Sequence, residues 1–240
     1  MSERFDLSDI EKVLTRAMDN PTTEIIRSGS IGVLSIINPI AGLVGGIGNE
    51  FLSHYNTFKL SHLLNGLKTG LNLERRLNDL YNYVNSSQVK AITVANLLKQ
   101  TVNAECPKVC LIYGLILASH LDTCTEFTHD ELIVCKALEN ATDFDLDNFK
   151  EMMNNHLKEA SGGRKVVFPK DLANISAFTT TCDWCVYNRI FVSRMLEWGE
   201  MDDGVLDITT NYYVASPAAI LLNYINSARQ TWNYVLQFLT

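Results

Sequence analysis

Two cysteine pairs are the first residues whose spacing could do chemistry. "CPKVC" sets Cys106 and Cys110 four apart, and "CDWC" sets Cys182 and Cys185 three apart. Two C-x-x-C knuckles would signal zinc, because four thiolates close a tetrahedral shell. Here one knuckle is C-x-x-C and the other C-x-x-x-C, and both lie inside helical patterns. Cys182 and Cys185 share a helix face and could hold one metal; the alternative is a pair of small core residues. A thioredoxin-like redox site would need a strand before "CDWC", which "ISAFTTT" does not supply. His54, His62, His120, His129 and His156 show no H-E-x-x-H spacing. The acidic run "DFDLDNF" (Asp143, Asp145, Asp147) starts like a calcium loop but lacks the glycine at position six and the glutamate at twelve. Carboxylates at a helix N-terminus explain it more simply. No G-x-S-x-G elbow is present. The expectation is therefore a non-enzymatic protein with no catalytic residue, no metal and no cofactor.

A second candidate is the uncharged stretch from Ser28 to Asn49, 22 residues with six glycines and one proline. A phosphate loop needs a lysine after its last glycine, and "GLVGGIGNEF" has Asn49 and Glu50 instead. A dinucleotide loop needs G-x-G-x-x-G in a βαβ frame, and neither is here. Two apolar surroundings remain. The segment is long enough for a bilayer core of about 30 Å, and Gly42 with Gly46 forms a close-packing G-x-x-x-G pair. Asn38-Pro39 at its centre, three serines and the glycines lower its hydrophobicity and helix propensity. That tilts the expectation toward two short helices packed in protein, with Pro39, Gly42, Gly45 and Gly46 as contact residues. Membrane insertion through residues 25–49 is the alternative.

These stretches sit in a chain of 240 residues, 47% apolar and 20% charged, which suits a folded globular protein. The net charge of −7 is uneven: residues 1–120 carry 11 basic and 10 acidic residues, residues 121–240 carry 9 and 17. An acidic half repels a phosphate backbone, so nucleic acid is not the favoured partner. The opening "MSERFDLSDIEKVL" has no basic stretch leading into an apolar one, so a cytoplasmic chain with reduced thiols is expected, membrane-associated only if residues 25–49 insert.

Helical periodicity dominates the elements that must position these residues. Ser8 with Glu11, and Thr128 with Glu131, are capping-box patterns. Helices are expected over "NEFLSHYNTFKLSHLLNGLKTG", "LERRLNDLYNYVN", "SSQVKAITVANLLKQTVNA", the nearly all-apolar "PKVCLIYGLILASHL", "FTHDELIVCKALEN" and "DLDNFKEMMNNHLKEA", the last capped by Asp145. "SGGRK" (Ser161 to Lys165) is the clearest boundary. After it, "PKDLANISAFTTTCDWCVYNRIF" reads as helix, "SRMLEWGE" and "VLDITTNYYVAS" as strands around an Asp203-Gly204 turn, and Ser216-Pro217 opens a last helix.

Helix, hairpin, helix is the order of a winged helix, and Thr179 to Ile225 resembles that pattern. Cys106 to Met153, with "IYGLILASHL" as buried helix, resembles the TerB-type helical domain of bacterial stress and phage-conflict proteins. That family's metal motif, DG-x-I-x-x-x-E, is not intact: Thr123 follows Asp122, and Glu131 lies farther on. The expected fold is mainly α: an N-terminal helix and apolar segment (1–49), a helical TerB-like block (50–160) and a winged-helix-like α+β domain (166–240). Residues 171–240 carry 3 basic and 7 acidic residues, so a wing of this charge repels DNA. With Trp184, Trp198, Tyr212 and Tyr213 nearby it suits protein contact, although these aromatics could equally be its core. The resemblance implies a bacterial or phage origin, with phage-host conflict or antiviral defence as its setting. The missing catalytic constellations, the acidic wing and the glycine-rich apolar segment lead to the expectation of an interaction protein with a protein partner and a homo-oligomeric state. The alternatives are a membrane-inserting effector and a winged-helix transcription regulator.

Overall fold

The computed structural model describes residue 59 and residues 62–68, 73–169, 175–197 and 208–236. The uncharged stretch 28–49, Trp198 and the Asp203-Gly204 turn lie outside the described residues. The described part is mainly helical with one small four-stranded antiparallel sheet. Among these residues no helix is long and apolar enough to cross a membrane. Two compact units divide the chain, residues 1–103 with 113–127, and residues 104–112 with 128–240.

The first unit contains helical residues 62–68, α1 (Leu73–Ser86), α2 (Gln88–Asn103) and the later turns of α3 (Pro107–Thr123). Helix α2 buries Ala91, Val94, Leu97, Leu98 and Thr101, a stripe at three- and four-residue spacing. Helix α3 is buried without a break from Val109 to Ala118, as its unrelieved apolar sequence requires. Gly114 lets a neighbour approach backbone to backbone: a Cβ there would stand 2.0 Å from the Leu63 carbonyl oxygen. Charged residues are held in this core, Arg76 the most enclosed of the described ones. Arg76, 2% exposed, forks onto Asp122 through two hydrogen bonds of 2.5 and 3.1 Å.

The second unit holds the first turns of α3, then α4 (His129–Leu138), α5 (Asp143–Asn155), β1 (Leu157–Ala160), β2 (Gly163–Val166), α6 (Ile175–Tyr187), β3 (Phe191–Glu197), β4 (Ile208–Val214) and α7 (Ser216–Leu236). Capping boxes open two of the helices, Thr128 with Glu131 before α4 and Thr142 with Asp145 before α5. The cap of α5 is thus Thr142, and Asp145 closes the box from the third helical position, where its carboxylate accepts from the Thr142 N–H at 3.0 Å. Helix α6 ends on a left-handed Arg189 (φ 61°), with Ile190 N–H reaching back to Cys185 O and Arg189 N–H to Val186 O. That pair of bonds stops the helix and turns the chain into β3.

One expectation is overturned between residues 156 and 166. The helix of "DLDNFKEMMNNHLKEA" stops at Asn155, and "LKEA" is a strand. The "SGGRK" stretch is the turn and second strand of a tight hairpin, Leu157↔Val166 to Ala160↔Gly163, with Gly163 at φ 108°. Lys, Glu and Ala favour helix locally, but pairing of β2 with β4 overrides that preference. The sheet order is β1-β2-β4-β3. Helix α5 packs on α6 and α7, α4 on α7, and α6 on β3. Val166, Phe191 and Tyr212 form the covered face of the sheet, each buried, and the Phe191 ring lies 5.8 Å from that of Phe149.

Candidate interaction surface

The thiols that opened the sequence reading belong to the core. Cys106, Cys110, Cys135, Cys182 and Cys185 are buried; Cys124 is exposed. Burial pushes the Cys106, Cys135 and Cys182 thiols up to about 12, and Cys185 also rises well above its usual range. A thiol so raised is protonated and a poor nucleophile. Cys182 Sγ lies 3.4 Å from Met152 Sδ, a soft contact between α6 and α5. The acidic run at the start of α5 is occupied in the same local way. Asp145 closes the capping box, while Asp143 and Asp147 take the Lys108 ammonium at 3.0 and 3.4 Å. Among the described residues no group of three or more His, Cys, Asp or Glu is placed to hold a metal ion.

Chemistry directed outward gathers instead on the open face of the sheet. Strand alternation sends successive residues to opposite faces. Register then fixes which residues share one. Lys158 of β1 pairs with Lys165 of β2, Lys165 with Tyr213 of β4, and Tyr213 with Val192 of β3. These four residues form one row across all four strands. Arg194 and Asn211 pair in the next row on the same face. Val192 is 49% exposed, Lys158 and Arg194 are exposed, and Lys165 and Tyr213 are half-buried. None of the described positions on this face is Asp or Glu. The acid of the first hairpin, Glu159, sits opposite Arg164 in the alternate register.

Two contacts fix the polar groups of the face. The Arg194 guanidinium lies over the Tyr213 ring, 4.9 Å from its centroid. Lys165 Nζ donates to Asn211 Oδ1 at 3.1 Å. Gly162, in the first hairpin's turn, leaves room for the stacked pair. A Cβ there would stand 2.9 Å from an Arg194 guanidinium nitrogen and 3.1 Å from the Tyr213 ring.

The aromatics singled out in the sequence separate accordingly. Tyr212 belongs to the covered face: it is 9% exposed and its hydroxyl donates to Asp183 Oδ1 at 3.0 Å. Burial, with Asp183 beside it, pushes that phenol up to about 12. Tyr213 belongs to the open face. Trp184 is half-buried on α6, and its indole N–H is enclosed without a hydrogen-bond partner. Pro39, Gly42, Gly45, Gly46 and Trp198 lie outside the described residues. Lys158, Lys165 and Arg194 were missed. Their alternation with apolar residues carries the signal for the two lysines only once residues 157–166 are recognised as a hairpin.

No family model, curated protein or solved structure matches this chain.

Proposed function

We propose that this chain is a non-enzymatic interaction protein, of bacterial or phage origin, that works through protein contact. The observation that carries the reading is the open sheet face, where Tyr213, Arg194 and exposed Val192 stand together on a rigid element. Tyr and Arg are the residues that contribute most at protein interfaces, because each combines large contact area with directed hydrogen bonding. Two further features support it. The buried thiols are poor nucleophiles, and the carboxylates of α5 are engaged in caps and ion pairs. Residues 166–240 are proposed as a winged-helix-like module: β3 and β4 pair antiparallel, with α6 leading into them and α7 following. A partner role in phage-host conflict rests on the likeness of Cys106 to Met153 to TerB-type domains and of Thr179 to Ile225 to winged helices.

Crosslinking tests the reading. A photoreactive amino acid at position 192 should form protein adducts in cells, and the same group at exposed Glu159, on the other register of the sheet, should not. Equal adducts at both positions, or adducts to nucleic acid alone, would refute protein contact through this face.

A further inference from the structure

The charge of the open face specifies its partner more closely than its shape does. Lys158 and Lys165 stand directly opposite one another across two strands, an arrangement of like charges that costs stability. Among the described residues no carboxylate on the face offsets them, although the chain as a whole carries −7 and its second half is the acidic one. Arg194 adds a third cation one row away, its guanidinium laid on Tyr213 so that its donor edge is held in place. Val192 exposes apolar surface at the far end of the same row. The row spans three interstrand gaps, about 14 Å at the usual spacing between strands, which matches four or five residues of extended peptide.

We propose that this face docks an acidic segment of a partner protein, extended across the strands. Its carboxylates meet Lys158, Lys165 and Arg194, and an apolar side chain between them covers Tyr213 and Val192. A nucleic acid fits less well. Its phosphates continue beyond the patch as a dense line of charge that the acidic remainder of the chain repels. A planar guanidinium stacked on a ring offers the paired donors that a carboxylate takes bidentately. The inference rests on the interaction reading above and adds the chemistry of the partner.

The test uses the full chain and fluorescence anisotropy. The probes are a labelled peptide of alternating glutamate and leucine, its lysine-leucine counterpart, and a labelled oligodeoxythymidine of matched charge. The acidic peptide should bind, the basic one should not, and added salt should weaken the complex. Arg194→Glu and Lys165→Glu should each lower the affinity about tenfold or more. Arg229→Glu on α7, the same change of net charge away from the sheet, should leave it within about twofold. Tighter binding of the oligodeoxythymidine, no binding of the acidic peptide, or an equal loss with Arg229→Glu would each overturn the proposal. Protein adducts at position 192 without acidic-peptide binding would keep the interaction reading and remove this one.

Discussion

Tyr212 and Tyr213 are neighbours in sequence and belong to opposite faces of one sheet. Tyr212 shares its face with Val166 and Phe191, all nearly without exposure, and ties its hydroxyl to Asp183. Tyr213 shares its face with Lys158, Lys165, Val192 and Arg194 and carries a cation on its ring. The same residue type thus does two jobs one position apart. On one side an aromatic fills volume and its polar atom is satisfied internally. On the other it supplies a platform, and the charges around it have no acidic counterpart among the described residues of that face. A two-residue period sorts stability to one face and recognition to the other.

The comparison breaks first on the covered side. Phe191→Ala removes a 1% exposed ring that meets Phe149, and it should cost about 3–5 kcal/mol in denaturant unfolding. Cys182 and Cys185 are both fully buried on α6, which packs on β3. Their alkylation should be slow in the native protein and faster in this variant, while exposed Cys124 labels at the same rate in both. A cost below about 1 kcal/mol would mean that this face is not core.

How much of this was legible beforehand follows from the kind of information each element needs. The helices declare themselves locally: Thr128 and Glu131 announce α4, and the unbroken apolar run of α3 announces burial. The strands β3 and β4 are legible for the same reason, since "ITTNYYV" is rich in β-branched and aromatic residues. Strand β1 is not, because "LKEA" is helix-forming and only its hairpin partner, itself held by β4, makes it extended. That error hid the candidate site. With "LKEA" read as helix, Lys158 and Lys165 have no common face, and Tyr213 cannot be told from Tyr212. Register is a tertiary property, and a one-residue change in it exchanges the two tyrosines. Net charge is silent on this for a related reason: a total summed over residues 171–240 does not tell which face of the sheet a cation such as Arg194 joins.

A milder change sharpens the contrast by pH. Tyr212→Phe deletes the hydroxyl bonded to Asp183 and should cost about 1 kcal/mol near neutral pH. The folded phenol is raised from 10.0 to about 12, so its neutral form is the one the fold favours. That contribution is complete below pH 10 and is lost as pH rises through about 12. Unfolding midpoints measured across this window should therefore fall less steeply in Tyr212→Phe than in the parent. Cys182, raised to about 12 in the same core, should keep part of the slope in both. Parallel slopes would show that Tyr212 titrates as an ordinary exposed phenol and that the covered face is open to water.

The smallest effect on stability is the most informative one. Arg194→Ala and Lys165→Ala remove exposed or half-buried cations whose contacts are a surface cation–π pair and one side-chain hydrogen bond. Each should change the unfolding free energy by no more than about 0.5–1 kcal/mol. Lys158→Ala should be neutral or slightly stabilising, because it relieves the like-charge pair with Lys165. Cations that add this little to the fold are available to a partner at little cost to stability. If instead Arg194→Ala destabilises as much as Phe191→Ala, the guanidinium is a structural brace on Tyr213 and the two faces differ only in how they contribute to stability. Thermal unfolding of the four variants side by side decides between these, and a gradient from Phe191→Ala down to Lys158→Ala is the result that the sheet's geometry requires.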